Sequence, residues 1–145
     1  MALHMIKLCV GAETIEDLIH WQERVMLMRA ADGLEPHPVH ETRMTPKRAE
    51  ELEDGGSLYW VIKHKIRVRQ RILQVERVEE EGARPYCVIH LDPELVKTHI
   101  KPKRPFQGWR YLQPKDAPPD LEARHGPLKG GSEALETALK EAGVW

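Results

Sequence analysis

Cysteine, aromatic residues and long apolar runs are all scarce in this chain, and each shortage closes off a class of protein. The cysteines are Cys9 and Cys87, each inside a strand-like apolar run with no second cysteine nearby. Neither belongs to a CxxC motif or a disulfide framework, so both are expected as reduced, buried thiols. No apolar run approaches the ~18 residues of a membrane span. The opening MALHMIKLCVGA carries His4 and Lys7 within its short apolar run and has no basic leader before it. A signal peptide is not expected, and a cytoplasmic location is. An excess of one charge is missing too: 22 Lys and Arg face 23 Asp and Glu, for a formal net charge of -1. That balance argues against binding polyanions over the whole surface, so any nucleic-acid surface must be local. Nucleophile elbow, P-loop, strand-following GxGxxG and HExxH are also absent.

What is present suits a single domain of 145 residues and 16.7 kDa with 41% apolar content, enough to bury roughly two thirds of its extended surface. Ile6, Leu8 and Val10 alternate with Lys7 and Cys9, the period of a half-buried strand. Thr14 and Asp17 have capping-box spacing, and Ile15, Leu18, Ile19, Gln22, Val25 and Met26 recur as one face of a helix. Val39 to Met44 is a short extended piece. Thr45-Pro46 then predicts the start of a brief helix through Leu52, closed by Gly55-Gly56.

From Ser57 to Lys63 both alternating faces are apolar, which predicts a central strand covered on both sides. In the next strand Ile66, Val68, Gln70 and Ile72 oppose Arg67, Arg69 and Arg71, and the apolar positions then move to Leu73 and Val75. That change of parity predicts a bulge or bend near Ile72. Gln70, alone among apolar neighbours, needs a buried partner. Strands follow around Cys87 to Leu91 and Val96 to Ile100. The expected class is α+β, a curved, mostly antiparallel sheet of five or six strands carrying one long and one short helix. Residues 1–121 form the domain, and 122–145 read as a linker and a short C-terminal helix capped by Ser132.

Two basic runs stand out. Lys63, Lys65, Arg67, Arg69 and Arg71 follow one another without an acid, as do Lys97, Lys101, Lys103, Arg104, Arg110 and Lys115. If the two runs are neighbours in the sheet, their charges share a face and attract an anion. Within the second lies RPFQGWRYL, residues 104–112, which gathers three aromatics in a chain only 6% aromatic. Single-stranded nucleic acid is met by such a mixture, with Arg and Lys on the backbone and aromatics stacked on bases. Arg69, Arg104 and Arg110 are the expected phosphate contacts, Trp109 and Trp60 the stacking groups, and Gln107 a reader of base edges. The same aromatics also suit the cover of a barrel end with solvated bases around it, and the arginine row suits an edge strand protected from pairing.

For catalysis, Thr45, Lys47 and Glu50 form a trio able to activate water or a hydroxyl, although the same residues serve as cap, solvated cation and helix-face acid. His37 and His40 with Glu41 are spaced for metal, but two prolines lie close by and no cysteine does, so no metal and no cofactor are expected.

Gly55-Gly-Ser-Leu-Tyr-Trp-Val-Ile-Lys63, Arg69-Gln-Arg71, RPFQGWRYL and the Asp116-Ala-Pro118 that follows resemble a bacterial family known as domain of unknown function 1489 (DUF1489). The resemblance covers about residues 1–121 and implies no activity. More loosely, the central strand leading into Val-Arg-Gln-Arg-Ile is similar to the PUA-like barrels, among them RNA-binding modules and ASCH domains. That similarity implies a PUA-like barrel and an RNA- or nucleotide-binding module. The alternatives are a small hydrolase acting on a nucleoside or acylated base, and a protein-interaction module anchored by residues 104–112.

Overall fold

A computed structural model describes residues 2–121. In chain order its elements are β1 (His4–Leu8), α1 (Ile15–Ala31), β2 (Val39–Thr42), α2 (Ala49–Glu53), β3 (Ser57–Ile62), β4 (Lys65–Val78), β5 (Tyr86–Leu91), β6 (Val96–Pro102) and β7 (Trp109–Leu112). The class is α+β, as expected. The strand path runs β2-β5-β4-β3-β1-β7, with β6 also against β4. Seven strands thus occur among the described residues, because Val39–Thr42 and part of RPFQGWRYL both join the sheet.

The long strand β4 organises everything else. Its first half pairs with β3 on one side and β6 on the other, and its second half pairs with β5. The register slips between Ile72 and Gln74 at the site where apolar parity reverses, leaving Leu73 exposed. Two further slips, at Trp60/Val61 and Ile66/Val68, bend the same region. The expected closed barrel does not form: the path ends at β2 and β7, which have no pairing with each other among the described residues. The sheet is mixed, because β1 and β3 run parallel while the other pairings are antiparallel. The predicted C-terminal helix lies outside the described residues.

All six residues of β3 are buried, as a central strand requires. Leu58, Trp60 and Ile62 face one core cluster with Met5, Ile15 and Leu18, while Tyr59 and Val61 face another with Ile6, Phe106 and Leu112. Helix α1 covers the first face. Its capping box is complete, with the Thr14 hydroxyl accepting from Asp17 N–H and the Asp17 carboxylate accepting from Thr14 N–H. Residues 103–117 cover the second face through Phe106 and Ala117.

Helix α2 starts later than Thr45-Pro46 predicts. Arg48 is its N-cap, without a side-chain bond, and the Arg48 side chain turns to Glu51 instead. Gly56 closes the turn after it, where a Cβ would meet backbone oxygens of Leu3 and Leu52 at 2.3 and 2.4 Å. No larger residue fits there without moving the backbone.

Candidate nucleic-acid interface

Backbone pairing brings the two basic runs together. Ile66 is opposite Lys101 and Lys65 opposite Pro102, and Lys103 N–H donates to His64 O at 2.8 Å. Lys63, Lys65, Lys101 and Arg104 are exposed and Lys103 is half-buried, so one end of the sheet carries a cluster of cations. The nearest acid on Lys63 is Glu13, at 4.0 Å between exposed groups. Such a pair contributes little and leaves the field of the cluster largely intact.

The turn that presents these charges is a two-residue hairpin. Ile62 pairs with Lys65, and both intervening residues have positive φ, 51° at Lys63 and 64° at His64. Loops of this kind favour Asn-Gly, because side chains crowd the backbone in the left-handed region. A lysine and a histidine held there are strained, and strain of this kind gathers at functional sites.

The remaining predicted contacts fall differently. Arg69 is not a free phosphate ligand: its guanidinium grips the Asp120 carboxylate through two bonds of 2.6 Å and donates to Ser57 Oγ at 3.0 Å. The Asp120 hydrogen bond holds Arg69 above its usual value, against burial. Arg69 therefore pins the end of the described chain to the sheet. Trp60 does not offer a face for stacking at the basic end, being only 1% exposed, with Nε1–H donated to Gln70 Oε1 at 2.8 Å. Gln70 has the buried partner its position demanded, since its amide and that of Gln22 exchange bonds of 2.7 and 2.8 Å.

RPFQGWRYL is anchored along its length. Phe106 is buried, Trp109 Nε1–H donates to Met44 O at 3.0 Å, and Tyr111 Oη accepts from Arg48 N–H at 3.1 Å. Arg110 lies over the Phe106 ring at 5.1 Å with its outer side exposed, and Gln107 is exposed in the bend before Gly108. Arg104, Gln107 and Arg110 remain accessible, while Trp109 is half-buried against Tyr111.

Thr45, Lys47 and Glu50 do not line the cavity at the start of α1. Lys47 and Glu50 are exposed, and Thr45 is half-buried near Cys87, whose thiol burial pushes up. His37 and His40 part company as well: His37 Nε2 lies 2.7 Å from His90 Nδ1, and His90 Nε2 lies 2.8 Å from Glu76.

His40 instead lines a cavity of about 1000 Å³ with Lys7, Cys9, Asp17, Trp21 and Trp60, at the start of α1. Its segment Leu8–Glu13 adjoins the basic hairpin, for Cys9 N–H donates to Val61 O at 2.9 Å. Burial, with the Lys7 charge second, brings His40 down to about 4, so it is neutral at pH 7. Burial also holds Lys7 below its usual value and pushes the Cys9 thiol up to about 12, which leaves it protonated and unreactive. In the sequence Lys7 stands out as a cation alternating with apolar residues in β1, His40 only as a metal candidate with His37, and Trp60 only as a stacking group at the basic face. Trp21 carried no signal, and nothing in the sequence joined it to His40, which lies in a separate element.

Fold and site together define a small α+β protein with an open mixed sheet, a cationic end and an aromatic-walled cavity beside it. The chain belongs to the family described as Protein of unknown function (DUF1489), whose model matches residues 5–145. The match extends past residue 121, the limit of the motifs read from the sequence. Searches of curated proteins and of solved structures return no match. Among the described residues, no helix is long and apolar enough to cross a membrane.

Proposed function

We propose that the protein is a cytoplasmic RNA-binding module whose contact surface is the cationic end of the sheet. One observation carries this reading: β4 and β6 pair so that Lys63, Lys65, Lys101 and Lys103 all lie at one end of the sheet, with few acids among them. Phosphates are the partner such a cluster favours, and Arg104, Gln107 and Arg110, exposed in the segment that follows β6, are further contacts. The strained Lys63-His64 turn supports the same reading, since a turn selected for stability alone favours residues that accept positive φ. The hydrolase alternative has less support, because Thr45, Lys47 and Glu50 do not line the cavity described above. The interaction-module alternative loses Trp109 as a free anchor, since its indole N–H is already bonded within the chain.

The test is fluorescence anisotropy of a labelled mixed-sequence single-stranded RNA at low salt. Micromolar binding is expected for the wild type, at the tight end of the range for salt-dependent, non-specific contacts. Lys63→Glu with Lys103→Glu should remove it, and Arg84→Glu, an exposed cation in the β4–β5 turn, should not. Equal binding by both variants would refute the proposal.

A further inference from the structure

We infer that the cavity beside the cationic end receives one base of the bound strand. This rests on the RNA-binding reading and adds a second grip, on the base rather than the phosphate.

Three rings wall the cavity at near right angles to one another. Trp21 and His40 are inclined by 77°, Trp21 and Trp60 by 89°, and His40 and Trp60 by 86°, with centroids 5.8, 6.5 and 5.2 Å apart. Rings so disposed make the corner of a box. A planar guest stacked on one of them meets the other two edge to face, which is a favoured contact on both counts. Trp60 is buried and fixed by Gln70, so the half-buried Trp21 supplies the accessible face. The corner therefore exists before any ligand arrives.

The polar groups select the guest. Nε2 of His40 is buried without a hydrogen-bond partner among the described residues, a condition that a guest able to bond it would relieve once the ring turns towards the cavity. The Lys7 ammonium, also in the lining, offers donors to the carbonyl and ring-nitrogen acceptors that a base carries. The same charge, which acts on His40, disfavours a methylated ammonium seated against that ring, the other guest suited to an aromatic corner. Of the other charged groups in the lining, the Asp17 carboxylate is occupied by the N–H groups of Glu13 and Thr14, and Glu13, Glu23 and Arg24 are exposed to solvent, which screens them, while Lys7 is half-buried. Because Leu8–Glu13 adjoins the Lys63–Lys65 turn, a base in the corner leaves its ribose-phosphate at the cationic rim.

The experiment compares a labelled ten-residue RNA with the same strand built from abasic ribose-phosphate. The wild type should hold the base-bearing strand about tenfold or more tightly, the scale of one stacked base. Lys7→Met and Trp21→Leu should each close that gap while abasic binding stays unchanged, and Lys63→Glu should weaken both strands. Thermal melting checks folding, and Lys7→Met decides the matter if Trp21→Leu does not fold. Equal binding of the two strands by the wild type would overturn the base site and leave the RNA reading standing. If neither strand binds, the RNA reading falls, and titration with nucleoside monophosphates decides the cavity. Fluorescence quenching that is lost in Trp21→Leu would sustain a base site. Quenching by tetramethylammonium alone, or no quenching, would overturn it.

Discussion

Replacing Gln70 by leucine should unfold the protein far more easily than an ordinary surface change. Gln70 is fully buried and accepts from Trp60 Nε1 at 2.8 Å and Gln22 Nε2 at 2.7 Å. It donates to Gln22 Oε1 at 2.8 Å and to Asp92 O at 3.0 Å. Leucine nearly preserves the volume but strands the indole N–H, the Gln22 amide and the Asp92 carbonyl. At ~1 kcal/mol or more for each group left unbonded, the loss is about 3 kcal/mol. For a chain of this length that is a fall of roughly 10 °C in Tm. Urea unfolding followed by tryptophan fluorescence measures it at equilibrium. Adding Gln22→Leu removes the other half of the amide pair, so the double variant should be less destabilised than the sum of the singles by about 1 kcal/mol. A Gln70→Leu cost under 1 kcal/mol, or strict additivity, would refute the network as a determinant of the core.

Converting Lys63-His64 to Asn-Gly should stabilise the protein by ~1–2 kcal/mol by relieving positive φ, while weakening RNA binding through the lost lysine; paired melting and anisotropy read both. His40 titrates from 6.5 unfolded to about 4 folded, so its contribution is complete above pH 6.5 and lost as pH falls towards 4. The loss amounts to about 3 kcal/mol at ~1.4 kcal/mol per pH unit, and His40→Gln should flatten that part of the stability profile. His4 and His37, both also lowered by burial, leave a smaller slope of the same sign. Asp120→Ala should cost ~1–3 kcal/mol, because it leaves the half-buried Arg69 without its carboxylate, while RNA affinity holds or rises.

The local elements were legible because short-range rules govern them. Thr14 and Asp17 announced the start of α1, unbroken apolar character announced β3 as central, and the parity change at Ile72 announced the bulge in β4. Pairing was less legible. Parallel β1 and β3 are joined through α1, β2 and α2, and nothing in Met5 or Leu58 states that they are opposite. The basic runs gave charge but not partners, so Arg69 looked free while Asp120, 51 residues away, neutralised it. Aromatic enrichment in RPFQGWRYL likewise marked a segment that folds back on the chain: Phe106 enters a core, and Trp109 and Tyr111 tie β7 to residues 44–48. The aromatic corner escaped notice because Trp21, His40 and Trp60 are contributed by α1, β2 and β3, each ordinary within its own element.

The salt dependence of RNA affinity tests the central claim most directly. For a single strand held by about four phosphates, the logarithm of the association constant should fall against log salt with a slope of about -3. Charge reversal at Lys63 should make that slope shallower by a little under one. An affinity independent of salt, or a slope unchanged by that reversal, would contradict a phosphate-binding site at the cationic end of the sheet.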